Sequence, residues 1–137
     1  MSKSADALAQ LFAAARAAQS KAYAPYSRFC VGAALRAPSG AIYAGGNVEN
    51  AAYPEGVCAE TSAISAMAAA GERRIAEICV VGDGNALCTP CGGCRQRIRE
   101  FADGETLVHV AGPEGVRRSF RLAELLPESF GPGHLPA

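Results

Sequence analysis

The sequence predicts a three-layer α/β fold, a mixed five-stranded sheet with helices on both faces. Apolar runs of strand length alternate with runs of helical length in the order α-β-β-α-β-α-β-β-α. One run, Ile75 to Val81, is apolar almost without a break, as expected for a strand covered on both faces. The chain has 137 residues, half of them hydrophobic, enough for one well-buried core and too few for two ordinary domains. Residues 1–137 are therefore read as a single domain.

The first element, Ser4 to Ala22, is alanine-rich and carries Leu8, Leu11, Phe12 and Ala15 on one stripe, with Ser4 or Asp6 as cap. Tyr23-Ala24-Pro25-Tyr26-Ser27 breaks it. Phe29 to Ala37 and Ile42 to Val48 then read as a hairpin closed by Pro38-Ser39-Gly40. A loop through Tyr53-Pro54-Glu55-Gly56 leads to a helix from Cys58 to Ala70, stopped by Gly71. After the strand Ile75 to Val81, the turn-rich Gly82-Asp83-Gly84-Asn85 precedes a helix running from Pro90 or Cys91 to Ala102. Thr106 to Ala111 and Val116 to Phe120 are the last strands. Leu122 to Leu126 is a short helix before a Pro- and Gly-rich tail that contains His134.

Net formal charge is zero, so long-range attraction to nucleic acid or to an anionic membrane has no source. The clusters Arg117-Arg118 with Arg121, and Arg95-Gln96-Arg97 with Arg99, are short and read as solvated faces or subunit contacts. Six cysteines could form disulfides in a secreted protein, but the first residues lack the apolar core of a signal peptide and no segment approaches a membrane span. Free or metal-bound thiols in a reducing cytoplasm are the expectation.

The chemistry concentrates in Cys58-Ala59-Glu60 and Pro90-Cys91-Gly92-Gly93-Cys94. Three thiols leave one of zinc's four tetrahedral positions for a water, which the metal acidifies to a pKa near ~7. Glu60 is then placed to move protons between that water and a substrate. Cys91 and Cys94, three apart, share one face of a helical turn. Cys58 and Glu60 are two apart and would diverge by roughly 200° inside a regular helix. They can share a site only at a helix mouth, so both thiol segments are expected to present helix N-termini to the metal. The positive helix ends would offset part of the thiolate charge and favour the ionised thiols. A closed structural zinc site is the alternative, with Cys88 the nearest spare ligand, but it leaves Glu60 without a role. Cys30 and Cys79 lie in apolar strand runs and read as core thiols, and His109, between Val108 and Val110, as a satisfied strand histidine.

Further stretches extend these motifs: Tyr23-Ala24-Pro25-Tyr26-Ser27-Arg28-Phe29, Val31-Gly32-Ala33-Ala34-Leu35, Gly46-Asn47-Val48-Glu49-Asn50-Ala51, and Leu125-Leu126-Pro127 with Phe130. With them the chain resembles the small homotetrameric cytidine deaminases over nearly its whole length. The resemblance implies the three-layer cytidine deaminase-like fold and zinc, one ion per subunit, on Cys58, Cys91 and Cys94. It implies hydrolytic deamination of cytidine and deoxycytidine to uridine and deoxyuridine plus ammonia, a pyrimidine salvage reaction. Glu60 would take a proton from the attacking water, pass one to ring nitrogen 3 and deliver one to the departing amine. Asn47 and Glu49, on one face of an extended segment, would bind the ribose and especially its 3′-hydroxyl. Phe29 would pack on the base, and the N–H of Ala59 and the carbonyl of Thr89 would read its edge. Tyr53 and Phe130 would reach a neighbouring subunit's site.

One position departs from the pattern. Where the family often has arginine after the catalytic glutamate, this chain has Thr61, whose hydroxyl can donate to sulfur but brings no charge. Arg95, beside Cys94, is the candidate to compensate. The rival readings are a deaminase of blasticidin S, a deaminase of RNA or DNA, and a zinc-stabilised binding module. The N-terminal helix and Phe130 favour the cytidine enzyme over the first, and the missing basic stripe with interleaved aromatics disfavours the second. A pure binding module would be indifferent to Glu60→Gln.

Overall fold

The computed structural model of the chain describes residues 2–136; residues 1 and 137, which the single-domain reading includes, lie outside. The elements are α1 (Lys3–Gln19), β1 (Val31–Arg36), β2 (Ile42–Gly46), α2 (Ala59–Ala69), β3 (Glu77–Gly82), α3 (Gly92–Glu100), β4 (Leu107–Gly112), β5 (Gly115–Arg121) and α4 (Leu122–Leu125). Single 3-10 turns cover Tyr53–Glu55 and Pro132–His134.

The strands form one sheet in the order β2-β1-β3-β4-β5. β3 pairs in parallel with β4 and antiparallel with β1, so the sheet is mixed, as the element order predicts. Two apolar clusters flank it. Leu11 and Ala15 of α1 pack on Ala34, Cys79 and Val81. On the opposite face Ala63 and Met67 of α2 and Ile98 of α3 pack on Leu35, Ile78, Val80 and Val108. The alternation along β3 thus feeds both cores, which is why that run needed to be apolar throughout.

Glycines set the spacing of the layers. A methyl at Gly32 would come within 2.0 Å of the Ala15 carbonyl oxygen, and one at Gly45 within 2.5 Å of Ser62 Cβ. Their bare backbones let α1 sit directly on one face of the sheet and α2 on the other.

Several element ends differ from expectation. The cap of α1 is Ser2, whose hydroxyl accepts the Ala5 N–H at 3.1 Å. α1 stops at Gln19, three residues before Ala22, because Tyr23 pairs with the segment after β2: its N–H donates to Asn47 O and its carbonyl accepts from Glu49 N–H. β2 is shorter than its apolar run for the same reason, since Val48 bridges to Tyr23 and to Val57 and lies outside the main sheet; β1 spans only Val31–Arg36 of the expected Phe29 to Ala37. α3 ends at Glu100 with Phe101 as cap, and α2 is followed by Gly71 at φ +91°, the left-handed conformation glycine adopts at little cost.

His109 is a satisfied strand histidine. Its ring nitrogens hydrogen-bond Ser119 Oγ at 2.6 Å and Glu77 Oε1 at 2.9 Å. The C-terminal tail is folded back: Phe130 stacks on His134 with centroids 5.0 Å apart, and Gln96 donates to the Phe130 carbonyl. Among the described residues no helix is long and apolar enough to cross a membrane.

Candidate metal centre and active site

Cys58 and Cys91 are the N-caps of α2 and α3, with extended backbone at ψ 157° and 167°. A cap residue is not yet helical, so its side chain sits at the helix mouth. This resolves the spacing of Cys58 and Glu60, because only the glutamate lies within the helix. Pro90 precedes the cap of α3, and the helix itself begins at Gly92, one residue beyond Cys91 and two beyond Pro90. Cys94 occupies the first turn of α3 and is fully buried.

The three sulfurs all lie within 4.8 Å of one another, with Cys58 Sγ 3.9 Å from Cys91 Sγ. Zinc with sulfurs at ~2.3 Å in a tetrahedron spaces those sulfurs about 3.8 Å apart, whereas a disulfide would bring two of them to ~2.05 Å. The donor set therefore fits a metal ion. Cys88 stands outside this cluster.

The electrostatics agree. Burial pushes the Cys58 thiol up, opposed in part by a hydrogen bond with Cys94, with the neighbouring Cys91 and Glu60 charges adding to the rise. Cys94 is pushed strongly up, first by burial and then by Glu60 and Cys58. For Cys91 burial also acts upward, but the Cys94 backbone N–H and hydrogen bonds with both partner thiols outweigh it and hold the thiol below its ordinary value. Without a cation the three cannot ionise together, and a divalent ion removes the repulsion. Cys79, alone in the core of the sheet, is pushed to about 12 by burial and by Glu77, consistent with an inert core thiol.

Glu60 is 4% exposed and lies beside this cluster. Burial raises its carboxyl above the ordinary carboxylate range, against the pull of its own N–H, a hydrogen bond with Cys94 and the charge of Arg97. Ala59 is the first helical residue of α2, so its N–H has no acceptor within the helix. Thr89 is half-buried, two residues before the Cys91 cap. Thr61 Oγ1 lies 3.9 Å from Cys94 Sγ, the hydroxyl-to-sulfur contact the sequence allows. Arg95 does not play the compensating part: its guanidinium donates to the carbonyls of Pro90 at 2.7 Å and Leu125 at 2.8 Å. The charge acting on the glutamate is that of Arg97, whose only mark in the sequence is its place among the arginines of α3.

The other candidate residues form a second group. Phe29 is 41% exposed, with its ring edge over Gly82 at the end of β3, where Cys88 also packs. Asn47 accepts the Val31 N–H and donates to the Phe29 carbonyl, both at 2.9 Å. The Glu49 carboxylate accepts the Tyr26 N–H at 2.9 Å, the Ser27 N–H at 3.1 Å and the Ser27 hydroxyl. Tyr53 meets Tyr26 edge-on at 6.0 Å, and both line an open hollow of about 370 Å³ together with Ser27, Glu49, Asn50 and Gly56. Phe130 lies on the C-terminal segment packed against α3, where Gln96 holds its carbonyl. Ser27 has no assigned role in the sequence reading, although a serine after a Pro-Tyr break is a usual place for side chain-to-backbone bonds.

A profile described as the cytidine and deoxycytidylate deaminase zinc-binding region matches residues 6–110. A cytidine deaminase of Sporosarcina psychrophila is 41% identical over 121 residues, covering 88% of this chain and 89% of that protein. One from Mycobacterium tuberculosis is 43% identical over 117 residues, covering 84% and 83%. The crystal structure of cytidine deaminase from Burkholderia pseudomallei superposes with a TM-score of 0.84 at 42% identity, covering 95% of this chain and all of that one. The chain belongs to the family of cytidine and deoxycytidylate deaminases defined by that zinc-binding region, and its Cys58, Cys91 and Cys94 form a cluster able to hold the metal.

Proposed function

We propose that the protein is a hydrolase that converts cytidine and deoxycytidine to uridine and deoxyuridine with release of ammonia. The observation that carries this is the buried Glu60 carboxylate beside the three-sulfur cluster at two helix mouths. Cys58, Cys91 and Cys94 would hold zinc, and Glu60 is left over as a base that is not a ligand. When bound, zinc supplies Lewis acidity that makes a water nucleophilic near neutral pH.

The chain's own groups do the rest. Glu60 takes the proton of the attacking water and returns it to ring nitrogen 3. It then takes the second proton, from the hydroxyl now on carbon 4, and gives it to the leaving amine, so the carbon 4–nitrogen bond breaks, the carbonyl forms, ammonia departs and the carboxylate is regenerated. Its raised proton affinity suits that exchange, because a carboxyl in the ordinary range holds a proton too weakly near neutral pH. The free N–H of Ala59 and the carbonyl of Thr89 read the base edge, and Phe29 stacks on its face. Asn47 and Glu49 receive the sugar. Tyr53 and Phe130, 76% and 56% exposed, would complete a neighbour's site in a homotetramer. Six free cysteines support a reducing, cytoplasmic setting.

The test is the ultraviolet change on adding zinc-loaded protein to cytidine, with Glu60→Gln alongside. Wild type should convert cytidine to uridine, and Glu60→Gln should lose at least ~10³-fold in kcat while keeping its zinc. Equal rates in the two proteins would remove Glu60 from the chemistry. Silence from a zinc-loaded wild type would move the search to modified nucleosides or a binding role.

A further inference from the structure

Ser27 joins two groups that the proposed reaction uses separately. Its hydroxyl has one proton to give, and that proton goes to a Glu49 carboxylate oxygen, since an ionised carboxylate can only accept. The Ser27 hydroxyl oxygen in turn accepts the Phe29 N–H at 3.0 Å. The Ser27 N–H bonds the other Glu49 oxygen at 3.1 Å, beside the Tyr26 N–H at 2.9 Å. Glu49 is thereby held by three donors, and the Ser27 hydroxyl bond is the leading cause of its carboxyl lying below the ordinary range.

The Phe29 peptide is gripped on both sides. Ser27 takes its N–H, and Asn47 donates to its carbonyl at 2.9 Å. Between Ser27 and Phe29 the chain passes through Arg28 at φ 59°, a left-handed turn that strains a side-chain-bearing residue and persists only where its surroundings hold it. Ser27 bonds on both sides of that turn. Loss of its hydroxyl would free the turn, one carboxylate oxygen and the Phe29 N–H at once.

We propose that Ser27 is a positioning residue that couples the Glu49 carboxylate to the Phe29 ring, so that one hydroxyl sets the sugar contact and the base contact together. This rests on the reading that Glu49 and Phe29 bind the nucleoside. Ser27 itself need not touch the substrate.

The experiment compares wild type, Ser27→Ala, Ser27→Thr and Glu49→Gln, all zinc-loaded, on cytidine and on 3′-deoxycytidine. Zinc content and Tm are measured for each. Ser27→Ala should raise KM for cytidine about tenfold with kcat within about threefold and zinc complete. Ser27→Thr, which keeps the hydroxyl, should restore most of the loss. The KM penalty of Ser27→Ala should shrink on 3′-deoxycytidine, and adding Ser27→Ala to Glu49→Gln should cost less than it does alone. An equal penalty on both nucleosides, or full additivity with Glu49→Gln, would overturn the coupling and leave Ser27 a local structural residue. A Glu49→Gln variant that loses nothing on cytidine, or a wild type that does not turn cytidine over, would sink the underlying reading and the coupling with it.

Discussion

Cys94 and Glu60 are 0% and 4% exposed, whereas Tyr53 and Phe130 are 76% and 56% exposed, yet all four belong to one proposed site. The metal end is framed by helix mouths, and each of its groups is held by an element packed in the core. The nucleoside end is framed by turns: Glu49 hangs on the Tyr26–Ser27 backbone, Asn47 on the Phe29–Val31 segment, and the aromatic rings stand open. The contrast separates a braced end from an open one. Glu60 and Cys94 are built into the core, Cys58 is half-buried, and Cys91 alone of the four is exposed, at the mouth of α3. Recognition that admits a ligand stays at the surface, where hydrogen bonds can exchange.

The largest expected effect lies at the metal end. Stripping the metal with a chelator should abolish turnover and lower Tm by at least about 10 °C, corresponding to ~3 kcal/mol for a domain of this size. Restoring zinc should recover both. Differential scanning fluorimetry with and without chelator reads this directly. An unchanged Tm would mean that α2 and α3 hold their mouths together without the ion, and the contrast between a braced and an open end would fail.

A smaller effect is expected at the open end. Phe130→Ala should raise KM for cytidine roughly tenfold, about 1.4 kcal/mol, with zinc content and kcat nearly intact. If the ring serves a neighbour, the defect is repairable in trans. Mixed oligomers of Phe130→Ala with Glu60→Gln would contain sites in which an intact Glu60 meets an intact Phe130 from the other chain. Low-KM activity should return on mixing. Failure to regain it would place Phe130 at its own chain's site or at none, and the nucleoside end would be complete in one subunit after all.

The same contrast governs what could be read before any coordinates. Cys58, Glu60, Cys91 and Cys94 were legible because zinc restricts ligand type and spacing so tightly, and because two-residue spacing permits only a helix mouth. The structure places both caps there. β3 was legible because burial on both faces leaves no room for polar residues. The Ser27 clamp was not, since it depends on a bond across 22 residues and on a left-handed Arg28 that no local pattern announces. Arg95 misled for a related reason. Sequence adjacency to Cys94 said nothing of the Pro90 and Leu125 carbonyls that claim its guanidinium. Helix and strand ends were misplaced where side pairing, such as Tyr23 against 47–49, overrode an apolar run.

The smallest expected effect is a displacement in pH. The Ser27 hydroxyl holds the Glu49 carboxyl below its ordinary value of 4.5; burial, the next largest influence, acts the other way, and the Ser27 and Tyr26 N–H groups add to the lowering. A carboxyl lowered by folding stabilises the native arrangement above its ordinary pKa, and that contribution is lost as pH falls through the lowered value. Glu49 should therefore stay ionised, and its grip on the 26–27 turn unchanged, from neutral pH down past 4.5. In Ser27→Ala the leading cause of the shift is gone, so protonation should begin at higher pH than in wild type. A carbon-13 titration of the Glu49 side-chain carboxyl in both proteins measures the difference. The expected result is a wild-type midpoint below 4.5 and a variant midpoint displaced upward toward it. Coincident midpoints would show that the two backbone N–H groups hold the carboxylate unaided, and the open end would then owe its geometry to the turn alone.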